Sequence, residues 1–102
     1  MELKTGGRLR SATDATEVIV VRAPGDAIDL RCGGQPMLDL EAERGDDLPT
    51  EAGFDTGTQI GKRYTDEESG LELLCTKAGT GTLSIGTDPL QLKGAKPLPS
   101  SD

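Results

Sequence analysis

This sequence has no histidine and no tryptophan in 102 residues, and its only aromatic side chains are Phe54 and Tyr64. Without histidine, Ser–His–Asp and Cys–His nucleophile chemistry and every imidazole-based metal site are excluded. Catalysis would have to rest on carboxylates, lysines and two thiols, a narrow set for an enzyme. With so few rings the core must come from aliphatic side chains, and a chain of this length buries only a modest share of its surface. A protein partner or a second copy is therefore expected, a homodimer foremost. No run of about 18 apolar residues occurs, so no membrane span is expected. The opening MELKTGGRLRSA has no apolar segment and does not read as a signal peptide. A net charge of −7 argues against nucleic acid or an anionic membrane as a general partner. The expectation is a soluble cytoplasmic protein with reduced thiols.

What is present reads as short strands. Residues 1–10 look like a loose N-terminal arm from which Leu3 or Leu9 can tuck down onto the body. Val18-Ile19-Val20-Val21 is an uninterrupted β-branched run, a strong strand signal. Ala23–Asp26 is a turn, and Ile28–Cys32 alternates so that Ile28, Leu30 and Cys32 face inward. Gly33-Gly34 turns the chain into a short strand over Pro36–Leu40, which closes a first β unit at 11–40. Between Asp39 and Asp55, seven acidic residues face only Arg44. The stretch 41–57 is a solvated linker or an acidic docking surface, with room for a helical turn around Leu40–Arg44. The second unit, 58–92, has strands over Thr58–Tyr64, Leu71–Cys75, Leu83–Ile85 and Leu90–Leu92. Residues 93–102, with Pro97 and Pro99, read as a flexible tail, untethered or docking to a partner.

The two units match each other. An offset of 53 pairs Val18–Met37 with Leu71–Leu90 without a gap, setting Leu30 on Leu83, Gly33 on Gly86 and Pro36 on Pro89. Each unit would be a strand, a hairpin, a glycine knuckle and a short strand, too small to bury its own face.

Tyr64, Gly70, Gly79, Gly81, Thr82, Leu83, Pro89, Leu90 and Leu92 also carry a likeness to a known family, with GQPM at Gly34–Met37 as an echo. Over the 29 residues from Tyr64 to Leu92 the spacing resembles the desulforedoxin module, found also at the N-terminus of desulfoferrodoxin and related to rubredoxin. That family reads Y-x-C-x-x-C-G, a glycine-rich hairpin return with T-L, then C-C-G-x-P-M and an aliphatic strand. The resemblance implies an all-β fold of two small desulforedoxin-like lobes in pseudo-repeat, sharing one core. It also implies which positions once held iron: Asp66, Ser69, Ile85 and Gly86 in the second unit, and Thr13, Thr16, Cys32 and Gly33 in the first. A tetrahedral iron or zinc site needs thiolates, and of these eight positions only Cys32 supplies one. No metal or other cofactor is expected. Ile85 would fill its former site as core, worth about 1.5–3 kcal/mol of burial, where a structural metal can supply ~10 kcal/mol or more.

The remaining chemistry is sparse. Cys32, beside two glycines, is either a reactive thiol whose pKa is lowered by exposed N–H groups or a small buried hydrophobe. Cys75 shares a face with Leu71 and Leu73 and reads as buried. Asp66, Glu67 and Glu68 form an acid–base pair, a hard-cation site or a solvated turn. Gly79-Thr80-Gly81-Thr82 lacks the spacing of a phosphate loop and reads as a hairpin turn. The expected function is a non-catalytic accessory or interaction protein. The alternative is a redox protein using Cys32 or an iron or zinc site shared between two chains.

Overall fold

The computed structural model describes residues 2–42, 45 and 47–93. They form ten strands and no helix: β1 (Arg8–Arg10), β2 (Glu17–Arg22), β3 (Leu30–Cys32), β4 (Gln35–Pro36), β5 (Leu38–Asp39), β6 (Arg63–Asp66), β7 (Leu71–Lys77), β8 (Leu83–Ile85), β9 (Asp88–Pro89) and β10 (Gln91–Leu92). The protein is all-β, and alternation of side chains explains the two long strands. In β2, Val18 and Val20 are buried while Ile19 and Val21 are half-buried. In β7, Leu71, Leu73 and Cys75 are buried, with Leu74 only half so.

The strands form two sheets, one of six in the order β10-β6-β7-β2-β1-β5 and one of four in the order β4-β3-β8-β9. All pairings are antiparallel. At the centre of the larger sheet Val20 faces Leu73, and at the centre of the smaller one Arg31 faces Ser84. In each pair the partners lie 53 residues apart, 20 against 73 and 31 against 84. The buried apolar residues form one cluster, which includes Leu9, Val18, Val20, Leu30, Met37, Leu71, Leu73 and Leu83.

Several expectations need correction. Within residues 2–10 Leu9 is tucked down as expected, at 3% exposed, but the segment is no loose arm: it contains β1, which lies between β2 and β5. It is drawn in because β2 needs a partner on the side away from β7. The hairpins expected within each unit do not form, because β2 and β3 belong to different sheets, as do β7 and β8. The turns at Ala23–Asp26 and Ala78–Gly81 carry the chain from one sheet to the other. The strand expected at Thr58–Tyr64 begins only at Arg63, since Thr58 is tied by its N–H to the Gly79 carbonyl (3.0 Å). Pro36–Leu40 is two strands, β4 and β5, that leave one sheet and join the other at Met37, which is 1% exposed.

The acidic stretch is stitched to the body. Leu48 N–H donates to Ala12 O (2.8 Å), Glu51 N–H to Gly33 O (2.9 Å), and Phe54 O accepts from Thr82 N–H (2.9 Å). Leu40–Ala42 is a turn without helix, and Arg44 lies outside the described residues. Lys93 is held by its N–H on Arg63 O (2.8 Å), while the rest of the expected tail, 94–102, also lies outside them. The Gly33-Gly34 knuckle is a two-residue hairpin turn between β3 and β4, with φ of 67° and 85°. Those angles suit glycine at both central positions.

Candidate functional site

Thr13, Thr16, Cys32 and Gly33, the first set of degenerate ligand positions, come together behind the smaller sheet. Thr13 Oγ1 donates to Cys32 O at 3.4 Å. A side chain at Gly33 would have its Cβ 2.3 Å from Thr13 Oγ1. The residue that organises the cluster is Asp14, which the sequence reading did not single out. Its carboxylate accepts from Thr16 Oγ1 (2.9 Å), Thr16 N–H (3.4 Å) and Gly81 N–H, and Cys32 Sγ lies 3.8 Å away. Ser11 Oγ accepts from the N–H groups of Thr13 and Asp14. Thr16 Oγ1 meets Thr58 Oγ1 at 3.0 Å, and Thr58 Oγ1 accepts from Gly79 N–H at 2.9 Å.

Gly79 and Gly81 are glycines for a steric reason. A Cβ at Gly79 would lie 2.4 Å from Asp14 Oδ2 and 2.6 Å from the Thr16 backbone nitrogen; at Gly81 it would lie 2.9 Å from Cys32 Sγ. The stretch expected as a hairpin turn is the lid of a buried polar cluster. The only sequence signal for Asp14 was its position between Thr13 and Thr16, and Thr58 had none.

Burial raises the Asp14 pKa, but hydrogen bonding by Ser11, Gly81 N–H and Thr16 outweighs it and holds the carboxyl below its ordinary value of 3.8. Cys32 is the opposite case. At 0% exposed, burial pushes its thiol up to about 12 against hydrogen bonds from Ser11 and Thr16, and the nearby Asp14 charge adds to the rise. Cys75, 1% exposed, is raised chiefly by burial, and its Sγ contacts Lys77 O at 3.3 Å. Both thiols are free and protonated at neutral pH, without the exposure or thiolate character that reactivity requires.

No protein-family model, curated protein or solved structure matches this chain. The site must be read from its own geometry.

The positions that resemble an iron site do not fit iron. Gly33 has no donor atom, the hydroxyls of Thr13 and Thr16 are engaged with the protein, and the Asp14 carboxylate already accepts the donors that face it. Both thiols lie inside the molecule, out of reach of a second chain. Of the second set, Asp66, Ser69 and Ile85 line one open hollow with Asp26, Ile28 and Glu68. Asp66 caps the knuckle by accepting Ser69 N–H (3.0 Å), and Gly86 N–H donates to Asp29 O (2.8 Å). Glu67 and Glu68 are exposed turn residues. Among the described residues no group of three or more Cys, Asp or Glu is placed to hold a metal ion.

Proposed function

We infer that this chain is a non-catalytic accessory or protein-interaction module, a small subunit or homodimer, built on a duplicated, metal-free desulforedoxin-like scaffold. The observation that carries this reading is the closure of the Asp14 cluster. The polar groups gathered on Asp14 satisfy one another: a half-buried carboxylate takes hydroxyl and backbone N–H donors from buried residues, and the thiol of Cys32 beside it is buried and faces no cleft. Such a cluster holds strands in place and performs no reaction. Duplication is supported by the strand order, which runs β10-β6-β7 on one side of the central pair and β5-β1-β2 on the other, and by the 53-residue separation at both sheet centres.

The test is light scattering on the purified chain over a range of concentrations, together with identification of stoichiometric co-eluting proteins from its native cell extract. The expected outcome is a mass above the 10.7 kDa of one chain or a single partner in fixed ratio. A lone monomer at every concentration, with nothing bound, would count decisively against the reading.

A further inference from the structure

On this acidic chain, the outer face of the six-stranded sheet carries a central row with a basic residue at each end and no carboxylate in it. Because Val18, Val20, Leu71 and Leu73 turn inward, the intervening residues form cross-strand rows facing out. The central row runs from Arg8 on β1 to Ile19 on β2, Leu74 on β7 and Arg63 on β6, each directly opposite the next. Its two aliphatic members are half-buried and its two arginines exposed. Bulges at Val21 and Thr76 bring Arg22 opposite Glu72 and Lys77 opposite Glu17.

The carboxylates on this face are already engaged. Glu72 takes Lys93 Nζ at 2.7 Å and Arg63 at 3.2 Å, and Glu17 lies 4.0 Å from Lys77. Arg8 and Arg22 are exposed and make no ion pair among the described residues. Five exposed cations therefore surround an aliphatic centre that holds only Glu17 and Glu72 as carboxylates; Asp66 and Glu67 share a hollow with Arg22 and Lys93 at one margin of the face.

We propose that this face docks an acidic protein segment with aliphatic residues at its centre. The proposal rests on the accessory-module reading and names the chemistry of the partner. Charge complementarity sets the partner's flanks, because guanidinium groups at both ends of the row offer forked donors to carboxylates. Ile19 and Leu74 set its middle, giving an apolar centre within a polar rim. From β1 to β6 the row crosses three inter-strand spacings, about 14 Å, the length of roughly nine or ten residues of helix. Asp39 at the end of β5 and Glu41 just after it border Arg8 and limit the surface on that side. Nucleic acid fits less well. The face has no aromatic ring for base stacking, since Tyr64 packs in the core, and the net charge opposes a polyanion.

The experiment is fluorescence anisotropy of the full chain with a labelled peptide of about ten residues, glutamates flanking central leucines. Expected is saturable binding that weakens with salt and falls about tenfold or more in Arg8→Glu/Arg22→Glu. These arginines hold no ion pair, so that variant keeps its fold, to be checked by circular dichroism and urea midpoint. Ile19→Ser weakens binding as well. The proposal is overturned by undiminished binding to the double variant, by equal binding of a leucine-free glutamate peptide, by tighter binding of a single-stranded oligonucleotide, or by no binding to the parent chain. Absence of peptide binding while a stoichiometric partner still co-elutes would remove this face and leave the accessory reading standing. Peptide binding by a chain that is otherwise a lone monomer would do the reverse.

Discussion

Asp14 is the residue on which the buried chemistry turns. Its carboxylate gathers hydrogen bonds from β1–β2 loop residues and from Gly81, which lies on the crossover between β7 and β8. A folded pKa below 3.8 means that the charged form is favoured in the native state. Its contribution to stability is present above about pH 3.8 and is lost as pH falls through the lower folded value. Glu72 shifts in the same direction for another reason, the hydrogen bond from Lys93 first and then the Lys93 and Arg63 charges. Asp14→Asn is therefore expected to lose about 1–3 kcal/mol at neutral pH, the usual cost of leaving buried donors poorly satisfied. The deficit should shrink as pH falls below 3.8, while the share due to Glu72 persists in the variant. Urea midpoints of both proteins across that range check this, and parallel curves would show that Asp14 is not the titrating group.

At the scale of elements, β1 is the instructive case. Lys4, Gly6, Gly7 and Arg8 give residues 1–10 the polarity of a loose arm, and nothing within the segment marks it as strand. Its order comes from outside, from the open edge of β2 and the space over Leu9. Gly6 N–H donates to Val20 O (2.7 Å), and Leu9 pairs with both Val18 and Asp39. Leu9→Ala should thus cost about 2–5 kcal/mol, read from the urea midpoint, and should expose β5 amides to hydrogen exchange along with those of β1. A change below half a kcal/mol would restore the arm reading. The contrast shows what the sequence could yield. Alternation marked Leu30 and Cys32, and Leu71, Leu73 and Cys75, as buried, because that information is local, while Ile28, ahead of β3, is only half-buried. Sheet membership was not legible, since a Pro-Gly or Gly-Thr-Gly turn serves a hairpin and a crossover equally well. Likewise the offset of 53 was visible in the residues, but the cross-strand row Arg8–Ile19–Leu74–Arg63 needed a register that only the folded pairing supplies.

At the scale of the whole molecule, the central strand pairs join the earlier part of the chain to the later part. β2 and β7 are each other's neighbours at the centre of the larger sheet, β3 and β8 at the centre of the smaller, and one apolar cluster draws residues from all four. A half alone would expose an unpaired central strand edge and part of that cluster, and chains of roughly 50 residues are marginal even with a complete core. The acidic stretch divides at Ala52–Gly53. Leu48 and Glu51 bond to Ala12 and Gly33, whereas Phe54 and Thr56 bond to Thr82. Each part of the stretch thus belongs to the half it adjoins. Fragments 1–52 and 53–102 are expected to be unfolded separately, with collapsed amide dispersion in nuclear magnetic resonance spectra, and to regain the native spectrum when mixed. The intact chain should unfold in urea in one transition, with the same midpoint by circular dichroism and by Tyr64 fluorescence. Two separated transitions, or a dispersed spectrum from either fragment alone, would mean that each half holds its own core, and the central pairs β2–β7 and β3–β8 would then be contacts between finished domains.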